Sequence, residues 1–157
     1  MDSATRIASI RLSAEHLPKG IKRFINFLPS SIYDPAHSLR TTFQAVEQYD
    51  VDPSDLVFEV VETEKIEEVE HLKTIFQTYK QGGMKVALDD VGAGYASQEM
   101  LIQLKPDYAK IDRSAISFCD QDAKKQKNLF DLVDLAREEG ITLLAEGDRA
   151  TRKGGFL

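Results

Sequence analysis

Two adjacent carboxylates, Asp89 and Asp90, are the residues of this sequence whose type and spacing point most clearly to chemistry. They follow the apolar run Met84–Leu88, and a turn containing Gly92 and Gly94 comes directly after them. Neighbouring carboxylates are costly to hold together unless a cation or hydrogen-bond donors compensate their charge. A single aspartate in this place is more often the N-cap of the following helix. Because there are two, we interpret the pair as part of a metal or phosphate site.

A lysine occupies the equivalent place in the next apolar run. Lys110 lies close to the end of the predicted strand Tyr108–Ile111. In α/β barrels the catalytic residues come from the carboxyl ends of several strands. We therefore predict that Lys110 belongs to the same site as the acidic pair.

Two further polar side chains, Asn26 and Glu59, interrupt apolar strands. Each has apolar residues two positions away, and side chains two positions apart in a strand point to the same face. Both residues are therefore expected to point inward, where they need a polar or ionic partner. The sequence leaves an alternative open, in which the parity of the strands is reversed and both residues face a helix or solvent.

The elements that position these residues alternate along the chain. Short apolar runs predict strands, and longer segments with apolar residues three and four apart predict helices between them. Near-continuous apolar strands suit a parallel sheet that is covered on both faces. The expected fold is a partial TIM-like (β/α) barrel, a mostly parallel sheet of about five strands with outer helices. The predicted strands are 22–28, 56–61, 84–88, 108–111 and 141–145, and the predicted helices are 2–15, 38–49, 66–79, 97–104 and 124–139.

Composition excludes several classes of protein. Apolar residues make up 42% of the chain and charged residues 29%, as in ordinary globular domains. The net charge of −6 argues against a DNA or RNA partner, because surfaces that bind nucleic-acid phosphates are basic. The single cysteine, Cys119, excludes an internal disulfide and favours a cytoplasmic location. No apolar run approaches the roughly 18 residues of a membrane helix, so no membrane contact is expected.

The candidate ligands share one chemistry and one kind of position. All are oxygen donors, and each lies at or near the carboxyl end of a predicted strand. Such hard donors suit Mg²⁺ or Mn²⁺ and suit zinc poorly. Two of these ions about 3.5–4 Å apart can activate a water and stabilise the leaving oxygen of a phosphodiester. The ligand set is Asn26, Glu59, Asp89, Asp90 and Glu146, whereas His16, His37 and His71 show no metal-ligand spacing and are interpreted as surface residues.

The order of these motifs resembles that of EAL domains, the bacterial phosphodiesterases that hydrolyse cyclic di-GMP. DDVGAGYAS at 89–97 is similar to the family's DDFGTGYSS, and LKPDYAKIDRS at 104–114 is similar to its LPVDYLKIDRS. LLAEG at 143–147 resembles the VAEG segment, and FINFLPSSI at 24–32 resembles the strand with the metal-binding asparagine. FEVVETE at 58–64 resembles the ExTE segment, with Val61 where threonine is usual. Several motifs in one order make a specific resemblance.

The resemblance implies a two-metal site with assigned ligands. Asp89 would bridge the two ions. Asn26 and Glu59 would bind one of them, and Asp90 and Glu146 would bind the other. The implied substrate is cyclic di-GMP, the implied ions are Mg²⁺ or Mn²⁺, and the implied product is linear pGpG.

The resemblance also gives roles to residues that are not ligands. Lys110 would act in catalysis together with Glu146, orienting the attacking water and offsetting charge on the phosphoryl oxygens. Asp112 would support the ligands from behind. Glu62 would stabilise the loop after the second strand, or would simply be an acidic residue in the first turn of the next helix.

The length of the chain and the absence of one family motif indicate that the resemblance covers only part of an EAL domain. A complete (β/α) barrel needs roughly 250 residues, whereas this chain has 157 and contains no E-A-L tripeptide. We therefore expect a single truncated EAL domain over residues 1–157, inactive alone or serving as a non-catalytic binding module. Exposed sheet edges would favour self-association. An unrelated barrel enzyme is a third alternative, which requires the ordered motifs to coincide by accident.

Overall fold

Strands and helices alternate along the computed structural model, which describes residues 3–60, 69–91, 98–117 and 121–145. The five strands form one sheet in the order β1-β2-β3-β4-β5. The paired strands described in this sheet run parallel, so the predicted α/β fold is confirmed. The strands are β1 Arg23–Phe27, β2 Leu56–Val60, β3 Lys85–Val91, β4 Tyr108–Ile111 and β5 Thr142–Ala145. The helices are α1 Ser3–His16, α2 Pro35–Ser38, α3 Arg40–Gln48, α4 Val69–Gln81, α5 Gln98–Leu104, α6 Arg113–Ile116 and α7 Ala123–Glu139.

The chain divides into two compact units. The described part of the first unit comprises residues 3–60 and 69–86, and that of the second comprises 87–91, 98–117 and 121–145. The division falls within β3. A single domain over the whole chain stays a prediction.

An aromatic cluster forms the core of the first unit. Along β1, Ile25 and Phe27 are buried while their neighbours are more exposed, which is the alternation of a half-covered strand. The ring of Phe58 stacks on that of Tyr79 with centroids 4.1 Å apart, and Phe27 packs against Tyr79 at 5.6 Å. Phe76 and Tyr79 lie three residues apart on α4 and so share one helix face. This cluster fixes β1 and β2, the strands that carry Asn26 and Glu59.

A buried aspartate ties together the amino ends of β1 and β2. Asp55 is 8% exposed. Its Oδ2 accepts a hydrogen bond of 2.9 Å from the Gly20 N–H, and Lys22 Nζ lies 3.8 Å from its Oδ1. The same lysine donates to the Ser54 carbonyl at 2.7 Å. These contacts cross between the segments that precede the two strands, and they stabilise the register in which the strands pair.

In the second unit the end of α7 leads directly into β5. The helix begins after Asp122, whose side chain accepts from two backbone N–H groups of the first turn, and it ends at Gly140 with a φ of +71°. Glycine adopts this left-handed conformation without the steric cost of a Cβ. None of the described helices, including the 17-residue α7, is long and apolar enough to cross a membrane.

The predicted single helix over 38–49 is wrong at its start. A separate turn, α2, precedes α3. Asp34 accepts from the His37 N–H at 3.4 Å, and Pro35 occupies the first helical position. An aspartate N-cap followed by proline favours the start of a helix, so helical structure begins one turn earlier than the apolar pattern indicates.

Candidate metal site

Asn26 and Glu59 are register partners in the first unit. β1 and β2 pair in parallel with Asn26 opposite Glu59, and each residue comes one position before the end of its strand. Glu59 is 4% exposed, and Asn26 is exposed. Register partners in a sheet point to the same face. An amide and a carboxylate therefore lie side by side at the carboxyl ends of two neighbouring strands, and the carboxylate is enclosed by protein.

The burial of Glu59 is costly within β2. Its chain neighbours Phe58 and Val60 are fully buried, and all five residues of this strand are buried. An ionised carboxylate is retained in such a place where a cation or hydrogen-bond donors compensate its charge. A strand selected for packing alone would carry an apolar residue there.

A β-bulge shapes the acidic pair in the second unit. The pairing of β3 with β4 shifts between Leu88 and Val91, so that Asp89 and Asp90 together lie opposite Lys110. Asp90 has a φ of +54°, in the left-handed region that few residues other than glycine, asparagine and aspartate adopt. A bulge interrupts the alternation of side chains, so adjacent aspartates no longer have to point to opposite faces. The predicted end of this strand at Leu88 is wrong, because the strand continues through the pair.

Hydrogen bonds fix the pair and bring a third carboxylate to it. The Asp90 N–H donates to Asp89 Oδ1 at 2.8 Å, and the Asp112 N–H donates to the Val91 carbonyl at 2.9 Å. Asp112 is the N-cap of α6, and its Oδ2 accepts from the Ser114 N–H at 2.8 Å and from the Ser114 hydroxyl. Ser114 was not among the site residues predicted from the sequence, although aspartate followed two positions later by serine is a recognisable capping pattern.

The three carboxylates influence one another's ionisation. Burial raises the pKa of Asp90, and the negative charges of Asp89 and Asp112 raise it further. The hydrogen bonds from the Ser114 side chain and backbone lower the pKa of Asp112. Asp90 and Asp112 also share a hydrogen bond, which favours the proton on Asp90. This arrangement has an excess of negative charge that a bound cation would relieve.

We expect Asp90→Asn to stabilise the metal-free chain near neutral pH by about 1 kcal/mol or less. Because the folded-state pKa of Asp90 is raised, its contribution to stability is present below its usual value of 3.8 and is lost as the pH rises through the raised pKa. Asparagine stays neutral and avoids that loss. The stability difference between variant and wild type should therefore grow as the pH rises from below 3.8, and thermal unfolding in EDTA measures it.

Asp131→Asn provides a matched control, because this exposed residue of α7 undergoes the same change in charge. Its unfolding curve should follow that of the wild type at each pH. Equal stability of Asp90→Asn and wild type across the range would show that the three carboxylates do not repel one another in the folded chain.

Three further residues were predicted to belong to the site, namely Lys110, Glu62 and Glu146. Lys110 is partly exposed in β4. Glu62 and Glu146 lie outside the described residues, and their roles stay predictions. Within the four described ranges, no three Asp, Glu, His or Cys side chains form a group that could hold a metal ion. The donors present fit Mg²⁺ or Mn²⁺ by type.

One histidine, His71, was predicted to be a surface residue but is half-buried. His71 is half-buried on α4, and its Nε2 donates to the Ile32 carbonyl at 2.6 Å. The reason is tertiary, because α4 packs against the turn that follows β1. His16 and His37 are exposed, as predicted.

Comparison with known proteins identifies the family. The sequence model of the EAL domain matches residues 1–147. The chain belongs to the EAL domain family. The resemblance inferred from the motifs is thereby confirmed.

Individual EAL proteins support the same assignment. Over 149 residues the chain is 33% identical to the probable cyclic di-GMP phosphodiesterase PdeG of Escherichia coli K12, covering 92% of this chain and 28% of PdeG. A standalone EAL protein from Vibrio cholerae O395, solved in its c-di-GMP-bound form, is 34% identical with a TM-score of 0.79. The match covers 90% of this chain and 60% of the V. cholerae chain.

A third relative carries a metal. Klebsiella pneumoniae BlrP1, solved as a complex with manganese and cyclic di-GMP, is 28% identical with a TM-score of 0.77. The match covers 92% of this chain and 37% of BlrP1. This chain therefore spans less than two thirds of each of these relatives. EAL structures similar to it have been solved with manganese or calcium, which agrees with the predicted need for divalent ions.

Proposed function

We propose that this chain carries metal-binding and catalytic residues for the hydrolysis of cyclic di-GMP to linear pGpG. The observation that carries the proposal is the bulge in β3, which sets Asp89 and Asp90 opposite Lys110 at the carboxyl end of a parallel strand. The relatives named as cyclic di-GMP phosphodiesterases and the c-di-GMP-bound structure support the choice of substrate.

The proposed ligands are all oxygen donors. Asn26 and Glu59 supply an amide and a buried carboxylate from adjacent strands, and Asp89 and Asp90 supply two carboxylates from the bulge. Glu146 is proposed as a further ligand with a catalytic role. Two bound divalent ions would lower the pKa of a water and neutralise charge on the phosphodiester.

The remaining roles in the proposed reaction are assigned to side chains of the protein. Asp90 supplies a carboxylate beside Asp89, and the N–H and hydroxyl of Ser114 hold the neighbouring Asp112 carboxylate in place. The ammonium group of Lys110 has only donors, so it can orient a water or a phosphoryl oxygen but cannot act as a base while charged. We assign to Lys110 the positioning of the nucleophile and the offsetting of negative charge.

A non-catalytic module that binds cyclic di-GMP is the second candidate. It is favoured by the finding that the described residues include no group of three Asp, Glu, His or Cys side chains able to hold a metal ion. Such a module would use these polar residues for recognition without completing the catalytic set.

One assay separates the two candidates. The purified chain is incubated with Mn²⁺ and cyclic di-GMP, binding is followed by calorimetry, and linear pGpG is detected by chromatography. Under the proposal, the wild type binds in an Mn²⁺-dependent manner and Glu59→Ala does not. Turnover that Glu59→Ala abolishes supports the enzyme, and binding without turnover supports the module. Absence of binding contradicts both.

We also propose a cytoplasmic location. The support is Cys119, the single cysteine of the chain, which leaves no internal disulfide to be maintained in an oxidising compartment. The proposed nucleotide substrate is consistent with it.

A further inference from the structure

A lysine on α7 contacts the turn that supports the acidic site. The Nζ of Lys125 donates to the carbonyl oxygens of Ser114 at 3.2 Å and Ser117 at 3.1 Å. These carbonyls belong to α6 and to its C-terminal cap. The backbone N–H of the lysine is itself fixed by the side chain of Asp122 at 3.2 Å, so the base of the side chain is anchored at the start of α7.

The turn needs such a contact because it is too short to stabilise itself. α6 consists of four residues. A single turn fixes several backbone dihedrals for very few hydrogen bonds. Its last carbonyls lack partners within the helix, and a lysine side chain near a helix C-terminus can satisfy them.

A continuous series of contacts connects this lysine to the acidic pair. Lys125 contacts the Ser114 carbonyl, and the N–H and hydroxyl of Ser114 donate to Asp112 Oδ2. On the other side of the series, the Asp112 N–H donates at 2.9 Å to the carbonyl of Val91, the residue that follows Asp90 in β3. If Ser114 moves, the carboxylate of Asp112 loses both donors that fix its orientation.

We propose that Lys125 is a positioning residue of the metal site, acting through the Ser114–Asp112 contact to hold the acidic group in the geometry that binds a cation. This inference rests on the proposed function, because it concerns the same site. It assigns a role to a residue outside the motifs that define the family resemblance. In this proposal the lysine acts through the backbone carbonyls of Ser114 and Ser117 and binds neither the ions nor the substrate itself.

Positioning and simple electrostatics predict opposite effects for the removal of this lysine. Loss of a positive charge near a cation site raises the affinity for Mn²⁺ by reducing repulsion. Loss of positioning lowers the affinity, because the carboxylates are no longer pre-organised. The sign of the change therefore identifies the mechanism.

The test compares Lys125→Met with Lys124→Met in Mn²⁺ calorimetry. Lys124 is exposed on the same helix, and its removal changes the net charge equally. We expect Lys125→Met to lower the affinity about threefold to tenfold, somewhat less than substitutions directly behind metal ligands. Lys124→Met should leave the affinity unchanged or raise it slightly, and Lys125→Arg should restore most of the loss.

Two further measurements test whether Lys125 acts through Asp112 and through the turn at residues 114–117. In an Asp112→Asn background, Lys125→Met should cause no additional loss, because both substitutions break the same series of contacts. Hydrogen exchange at the amides of residues 114–117 should accelerate in Lys125→Met and not in Lys124→Met. Thermal unfolding verifies that each variant is folded.

The outcomes separate the two proposals. If the wild type binds Mn²⁺ and the two methionine variants bind it equally, the positioning role is wrong and the proposed function stands. If the wild type does not bind Mn²⁺, the proposed function is contradicted and the positioning role falls with it. A rise in affinity for Lys125→Met would assign this lysine a purely electrostatic effect and overturn the inference.

Discussion

Replacing Asp89 with asparagine is expected to weaken Mn²⁺ binding at least about 100-fold, because a proposed metal ligand would lose its charge. The substitution preserves shape. The new side-chain amide would keep a carbonyl oxygen able to accept the 2.8 Å hydrogen bond from the Asp90 N–H, so the bulge should remain. The change therefore removes the charge while leaving the local backbone supported. Calorimetric titration with Mn²⁺ measures the effect.

The control for this substitution is again Asp131→Asn, at an exposed position of the second unit. It should bind Mn²⁺ as the wild type does. If the chain hydrolyses cyclic di-GMP, Asp89→Asn should lower the rate by about 10²- to 10³-fold, the scale of losing one electrostatic stabiliser. Undiminished Mn²⁺ affinity in the variant would remove Asp89 from the ligand set.

Phe58→Ala is expected to destabilise the first unit by about 3–5 kcal/mol, the usual cost of emptying a buried aromatic site. The side chain of Phe58 is fully buried, and its ring stacks on Tyr79 with an interplanar angle of 9°. Stacked pairs contribute about 0.5–1.5 kcal/mol beyond the area they bury. Denaturant unfolding followed by circular dichroism measures the loss. Since Phe58 precedes Glu59 in β2, the variant should also lose its Mn²⁺ affinity.

Phe130→Ala is the matched control, because that side chain is 65% exposed. Its stability should lie within about 0.5 kcal/mol of the wild type. Tyr79→Phe provides a second comparison, since the Tyr79 hydroxyl is buried and has no hydrogen-bond partner among the described residues. Removing that hydroxyl should cost nothing and keeps the stacked ring. A loss below about 1 kcal/mol for Phe58→Ala would contradict the assignment of this cluster as the core.

Much of the architecture could be predicted from local sequence. The apolar run at 108–111 corresponds to β4. The helix predicted over 124–139 ends at Glu139, as α7 does in the structure. Strand and helix periodicities are properties of adjacent residues, so a single sequence contains them. Ligand type is equally local, because aspartate, glutamate and asparagine present hard oxygen atoms wherever they lie. The family could be predicted for the same reason, since its motifs are short and ordered.

The arrangement of the site depended on contacts between distant segments. No local pattern shows that Asp89 and Asp90 lie in a bulge, because a bulge is a mismatch in register between two strands. Likewise, the contacts of Lys125 with the turn at 114–117 join residues that the sequence presents as surface and loop. The burial of Glu59 and the contact of His71 with Ile32 have the same origin. Sequence by itself determined which groups are present and in which elements, whereas tertiary structure decided their register, burial and partners, because these follow from the pairing and packing of segments far apart in the chain.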